Sequence, residues 1–103
     1  PAKIINAGAE EVESLYSGQK ARVCGVVNSI KQITTRKGSK MCFLEIDDST
    51  AIAEVTVFPR LFAKLQKRET VPNPADLLLL DVKVEKTEPI IKLIAESITI
   101  YKE

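Results

Sequence analysis

The sequence predicts an all-β fold with a small helical content, in which five strands form a small barrel. Short runs rich in valine, isoleucine and leucine alternate with turn signals from about residue 21 onward, as strands and their connections do. The first run contains Gly25, and a glycine inside a strand marks the bend or bulge that a small barrel requires. A basic turn around Lys37 and Gly38, between two such runs, gives the barrel a positively charged edge.

The length and composition are those of one folded domain. The 103 residues suffice for a single core but not for a second lobe, and 45% hydrophobic with 28% charged residues predicts folding rather than disorder. We expect one domain over residues 1–103, with a lead-in over 1–18 and the barrel over 19–101. Because Pro1 cannot be a translational start, excision from a longer protein is expected.

Neither membrane insertion nor secretion is expected. The longest apolar run, residues 77–80, is far shorter than the roughly 20 residues of a membrane-spanning helix, and no leader peptide opens the chain. A cytoplasmic, reducing location is therefore predicted. Cys24 and Cys42 are expected to act there as small apolar strand residues, with a disulfide open only if the two face each other.

The first strand is predicted from Ala21 through RVCGVVNSIKQI, after a short helix or turn over residues 10–17. Alternation along it places Val23, Gly25 and Val27 on one face and Arg22, Cys24, Val26 and Asn28 on the other. The second strand runs roughly from Lys40 to Asp47, followed by a polar turn over 47–50. Its apolar residues alternate imperfectly, so a bulge near Leu44 or Glu45 is expected to let Phe43 and Ile46 both point inward.

The third strand is predicted over residues 52–58 and the fourth over 77–85, with a short amphipathic helix over 59–68 between them. The fifth strand covers about 90–101, after a turn at 86–89. The core is expected to receive Val55, Val57, Phe58, Phe62, Leu93, Ala95 and Ile98. This order of elements is that of the five-stranded Greek-key barrel called the OB-fold, whose second and third strands and two loops commonly bind oligonucleotides.

Four cations with no acidic residue among them, at positions 31–40 of a chain of net charge +1, indicate a phosphate-bearing partner. The candidate nucleic-acid-binding residues are these cations, two polar residues of the first strand and one aromatic ring: Lys31, Arg36, Lys37, Lys40, Arg22, Asn28 and Phe43. Solvating surface lysines and a core position for Phe43 are the alternatives. Weak, salt-sensitive binding is expected, because Glu45, Asp47, Asp48 and Glu54 repel phosphates.

Catalysis and metal binding are not expected of this chain. It has no histidine and only two cysteines, which removes the usual zinc sites and histidine-based mechanisms. Asp47 and Asp48 are adjacent, so they cannot both face one site on a regular strand. The sequence therefore predicts no catalytic residue, no metal, no cofactor and no small-molecule substrate.

The run VCGVVNSIKQITTRKGSKMCFLEIDDSTAIAEVTVFPRLFAKL, with LLLLDVKVEK and IKLIAESI after it, resembles the OB-fold domain near the C-terminal end of the bacterial DNA polymerase III alpha subunit. The resemblance covers about residues 20–100. Its most specific parts are Lys37-Gly38, Met41-Cys42-Phe43, Asp48 with Thr50, Val57-Phe58-Pro59 and residues 92–96. Relatives generally carry glycine where this chain has Ala51, so its backbone is expected to avoid a positive φ or to bear strain.

The resemblance implies a non-catalytic accessory domain that binds single-stranded template DNA inside a replicative DNA-directed DNA polymerase, a nucleotidyltransferase. Other domains or subunits of the replicase are the implied protein partners. A protein-docking or spacer domain without DNA affinity of its own is the alternative. Anticodon-binding domains of class II aminoacyl-tRNA synthetases share a looser version of the pattern, which keeps an RNA-binding interpretation open.

Overall fold

A computed structural model of the chain describes residues 18–47, 51–86 and 89–101. The elements are β1 (Lys20–Thr34), β2 (Lys40–Asp47), β3 (Ile52–Val57), α1 (Pro59–Lys67), β4 (Leu77–Lys86) and β5 (Ile91–Ile100). The strands close into a barrel in the order β1-β2-β3-β5-β4, with β3 and β5 parallel. The predicted OB-fold is thereby confirmed, while the predicted helix or turn at 10–17 and the turn tip at 48–50 lie outside the described residues.

Strand β1 is long because its two halves pair with different neighbouring strands of the barrel. Its first half, Lys20 to Val26, pairs with β4, and its second half, from Val26 to Thr34, pairs with β2. Gly25 lies at this crossing, where an added Cβ would meet the Asp47 carbonyl oxygen at 3.2 Å. The register shift itself falls three residues later, between 27 and 29. Gly25 therefore allows the close approach of β1 to β2 rather than forming the bulge.

Strand β2 alternates regularly, and the bulge predicted near Leu44 or Glu45 is wrong. Leu44 and Ile46 point into the core together with Cys42, so Phe43 lies on the outer side and is half-buried. The irregularity belongs to the partner strand, because β1 carries the extra residue opposite this stretch. Met41 makes the apolar pattern of β2 look irregular in the sequence. It lies on the outer side with Phe43 and is still only 8% exposed.

Strand β3 follows the prediction, with Val55 and Val57 buried. The prediction that Phe58 is a core residue is wrong, because its side chain is 48% exposed. Phe58 continues the β3 alternation outward before Pro59 starts the helix. Phe62, one turn later, is fully buried as predicted and closes one end of the barrel with Leu65.

Strands β4 and β5 complete the core. Leu93 and Ala95 are buried as predicted, and Ile98 is half-buried and packs against the core. The face of β5 that points inward changes at Glu96, because the register shifts by one residue between the pairs Val82 with Ala95 and Asp81 with Ser97. In the described ranges, no helix is long and apolar enough to cross a membrane.

Two backbone positions bear on local strain. Ala51 is not among the non-glycine residues with positive φ, which in the described part of the chain are Glu69 and Ala75. The backbone at Ala51 thus avoids the conformation that a glycine would favour.

Helix α1 ends in a Schellman motif. Glu69 N donates a hydrogen bond to Gln66 O, and Thr70 N donates one to Leu65 O. Glu69 takes the left-handed position that usually holds glycine.

Both cysteines are thiols, on different parts of β1 and β2. Cys24 lies opposite Leu79 in the β1–β4 ladder, whereas Cys42 lies opposite Gln32 in the β1–β2 ladder. The two cysteines therefore do not face each other. Cys42 is fully buried in the core, and desolvation by this burial raises the pKa of its thiol to about 11.

This raised pKa predicts that the protein loses stability at alkaline pH. The Cys42 thiol stays protonated in the fold up to about pH 11. In the unfolded chain it ionises near pH 8.5, so the free energy of unfolding falls between these pH values by about 3 kcal/mol. Urea denaturation at pH 7.5 to 11 measures the fall, and Cys42→Ala should reduce it. Cys24→Ala is the matched control and should keep the full pH dependence; equal dependence in all three proteins contradicts the prediction.

Candidate nucleic-acid interface

The outer face of β1, β2, β3 and β5 is built of rows of side chains that lie side by side in register. One row contains Lys31, Phe43, Thr56 and Ile94, and the next contains Ser29, Glu45, Glu54 and Lys92. The first row is basic and apolar, and the second carries two adjacent carboxylates. The second row, which we call the acidic row, therefore divides the face into two parts.

The carboxylates of the acidic row have partners within the protein. The Asn28 Nδ2 group donates a hydrogen bond to Glu45 Oε2 at 3.2 Å, and Lys92 Nζ lies 3.9 Å from Glu54 Oε1. These contacts lower the cost of placing Glu45 opposite Glu54. The row still presents no unpaired cation, so it disfavours a phosphate backbone.

The turn between β1 and β2 is held by its own hydrogen bonds. Thr35 N donates to Ser39 O at 2.7 Å, and Gly38 N donates to Thr35 O at 2.9 Å. Ser39 N also donates to Thr35 Oγ1 at 3.2 Å, and Gly38 takes the positive φ of +83° that the turn requires. Arg36 and Lys37 at the tip are exposed on this ordered frame.

The end of β3 brings a second aromatic ring to this turn. Val57 lies opposite Cys42, two residues after Lys40, so Phe58 lies at the same end of the sheet as the basic turn. The sequence argument missed Phe58, although the alternation of Val55 and Val57 inward already placed it outward. We call the set of Lys31, Arg36, Lys37, Lys40, Phe43 and Phe58 the loop-side surface.

The four cations of the loop-side surface are exposed. None of them forms an ion pair with a residue that the structure describes. Phe43, Lys31 and Ser29 line a shallow depression of about 320 Å³ with Glu45 and Glu54 at its far side. The depression is open and small, as suits a stacked base rather than an enclosed substrate.

Two predicted site residues lie apart from this surface. Asn28 is bound to the acidic row, as described above. Arg22 lies on the half of β1 that pairs with β4, where its Nε is 3.0 Å from Asp81 Oδ1. The Ser97 hydroxyl donates to Asp81 Oδ2 at 2.7 Å, and this bond, followed by the contact with Arg22, lowers the pKa of the Asp81 carboxyl. Arg22 thus gains a structural role, and its contact with nucleic acid stays a prediction.

Among the described residues, no group of three or more cysteines and acidic residues is placed to hold a metal ion. The loop-side surface consists of exposed cations beside outward rings, the kinds of group that contact phosphates and bases in proteins that bind single strands.

A small closed barrel with this surface defines a nucleic-acid-binding module of the OB type. The sequence model of the family described as the OB-fold nucleic acid binding domain matches residues 21–101. The chain belongs to this family, because the match covers the barrel except for the first residue of β1. No curated protein sequence matches the chain significantly.

Solved structures share the fold at low sequence identity. The Stn1–Ten1 complex of S. pombe matches with a TM-score of 0.64 and 18% identity over 82% of this chain and 59% of that one. The mitochondrial single-stranded DNA binding protein Rim1 of S. cerevisiae matches at 0.62 and 13% over 84% and 98%. Asparaginyl-tRNA synthetase of Pyrococcus horikoshii matches at 0.71 and 19% over 97% of this chain and 23% of the synthetase.

Proposed function

We propose that this domain binds single-stranded DNA weakly through the loop-side surface. The observation that carries the proposal is that the cations and both outward rings lie on one side of the acidic row. Phosphates of the strand contact Arg36 and Lys37 at the turn and Lys31 and Lys40 at the strand ends. The acidic row marks the limit of the DNA path, because Glu45 and Glu54 repel phosphates.

Base stacking gives the binding its preference for single strands. Phe43 and Phe58 both lie on the outer side, next to the cations, and an unpaired base has a free face to stack on such rings. A duplex keeps its bases stacked inside and cannot use the rings. The preference is tolerant of sequence, since every base has a π-face.

For the parent protein, we propose a bacterial replicative DNA polymerase in which this domain is a non-catalytic accessory that holds template strand. The support is the resemblance carried by Lys37-Gly38, Met41-Cys42-Phe43 and Val57-Phe58-Pro59. The fold shared with Rim1, a single-stranded DNA binding protein, is compatible with single-stranded DNA as the ligand. It does not bear on which protein contains this domain.

Two other functions have an observation in their favour. The synthetase neighbour favours an RNA ligand, because its barrel matches almost the whole chain. A docking role inside the parent is favoured by the exposed apolar residues Val26, Ile52 and Ile90 at the far side of the acidic row. Docking through apolar contacts survives moderate salt, whereas binding of phosphates does not.

The test is a titration of a fluorescently labelled oligodeoxynucleotide of about 25 nucleotides, followed by anisotropy at several salt concentrations. Four phosphate contacts predict a log-log salt slope near −3, and Arg36→Ala with Lys37→Ala should reduce its magnitude by about one unit or more. Lys20→Ala with Lys83→Ala is the matched control, because these two cations lie opposite each other on the β1–β4 side.

Single-stranded RNA and duplex DNA serve as competitors in the same titration. Preferential displacement by RNA would replace the DNA proposal with the RNA function. An unchanged slope in the Arg36 and Lys37 variant would move the site away from the loop. Absence of binding at low salt would leave docking as the function of the isolated domain.

A further inference from the structure

One edge of β5 is unpaired over half of its length. Strand β4 pairs with β5 from Lys92 to Ile100, but β3 pairs with it only from Ile91 to Ile94. The cause is that β3 ends at Val57, where the chain turns into α1. Residues 96–100 have no strand partner on the β3-facing edge among the described residues.

A groove of about 430 Å³ runs along this edge. One wall is residues 96–100 of β5. The other is one side of α1 and its C-terminal cap, with Leu61, Leu65 and Arg68. The half-buried side chains of Ile98 and Ile100 give it an apolar floor. The free edge is about 16 Å long at the rise of an extended strand, which is enough for one added strand of about five residues.

The edge carries few of the features that normally block strand addition. Edge strands are commonly protected by lysines, prolines or bulges, and here the bulge at Glu96 lies at the start of the edge. Residues 97–100 are Ser, Ile, Thr and Ile, without a charge or a proline. A backbone with alternating N–H and C=O groups is therefore offered to a second extended backbone.

The charges around the groove define the partner. Helix α1 and its cap carry Arg60, Lys64, Lys67 and Arg68 and no acidic residue. Lys64 and Arg68 line the groove, and neither forms an ion pair within the described ranges. Of the two carboxylates at the groove, Glu96 lies 3.8 Å from Lys20 Nζ, and Glu69 stands at the end of the helix.

We propose that the free edge of β5 binds an extended acidic segment of a partner protein as an added strand, with its carboxylates toward Lys64 and Arg68. A peptide backbone fits better than a nucleic acid, because the edge presents acceptors as well as donors, and phosphates use only donors. This surface is separate from the loop-side surface.

The test uses the full chain labelled with ¹⁵N and a six-residue peptide that alternates valine with glutamate. The peptide should shift the amide signals of residues 96–100 and leave those of the basic turn unchanged. Lys64→Glu with Arg68→Glu should weaken binding by about tenfold or more. Arg60→Glu with Lys67→Glu, the same change of charge on the same helix but outside the groove, should weaken it much less.

A second peptide tests strand addition on the unchanged protein and therefore does not depend on the folding of a variant. It has the same side chains, but its alternate amides facing β5 are N-methylated, which removes the donors of an added strand. Its failure to bind supports strand addition. Equal binding of this peptide, no shifts in residues 96–100 at millimolar peptide, or displacement of the peptide by oligothymidylate overturns the proposal.

Discussion

Replacement of Phe62 by alanine is expected to lower the free energy of unfolding by about 3–5 kcal/mol. Phe62 is the largest fully buried side chain in the described structure, and it joins α1 to the barrel. Its removal leaves a cavity at the end of the barrel that the helix covers, and the backbone around it relaxes only partly. Because a domain of this size has a total stability of about 5–15 kcal/mol, the variant should unfold at much lower urea concentration.

The matched control is Phe58→Ala, four residues earlier at the start of the same helix. It removes the same side chain from a position that is 48% exposed and that makes no side-chain cap hydrogen bond. Its cost should stay below about 1 kcal/mol. Equal destabilisation by the two replacements would mean that burial of Phe62 is not what sets the stability of the helix on the barrel, and would contradict the prediction.

The contrast between these two phenylalanines shows how far alternation along a strand predicts burial. Val55 and Val57 fix the inward face of β3, and the same alternation continued by one residue places Phe58 outside. The apolar neighbours of Phe58 predict a core position, but their number does not show the direction in which its side chain points. The change from a strand to a helix at Pro59 then gives Phe62 a new direction, which the spacing with Leu65 predicts correctly.

Register between strands is the part that one segment of sequence does not determine. The imperfect pattern of β2 predicts a bulge in β2, but the extra residue lies in β1 between Val27 and Ser29. A bulge relieves a mismatch between two strands, so either strand can carry it. The same limit applies to the site, where the pairing of Asn28 with Glu45 and of Lys92 with Glu54 depends on register alone.

The charge pattern was sufficient to locate the basic turn but not its surroundings. The cations at 31–40 lie within ten residues of one another around one turn, so a hairpin of any register places them at one end of the sheet. Arg22 is distant from them because the half of β1 before Val26 pairs with β4, whereas the half after it pairs with β2. A long strand whose two halves pair with different strands thus separates residues that alternation alone assigns to one face.

Replacement of Phe43 or Phe58 by alanine is expected to weaken binding of single-stranded DNA by about 1–3 kcal/mol each, or roughly 5- to 150-fold. Both rings lie on the outer side of the sheet beside the cations of the loop-side surface, which is where the proposed function requires them to stack on bases. The salt slope should stay near its original value, because stacking releases no counterions. Anisotropy titrations at low salt, where the weak binding is measurable, give both quantities.

Tyr101→Ala is the control for a ring of similar exposure, since Tyr101 is 44% exposed at the end of β5, away from the basic turn. It should leave the affinity unchanged. The combination of a lower affinity with an unchanged slope distinguishes ring replacement from Arg36→Ala with Lys37→Ala, which lowers both. If ring replacement leaves the affinity intact while the cation variant lowers it, phosphate contacts alone hold the strand. The domain would then have no reason to prefer single-stranded over duplex DNA, and the template-holding function would fail with it.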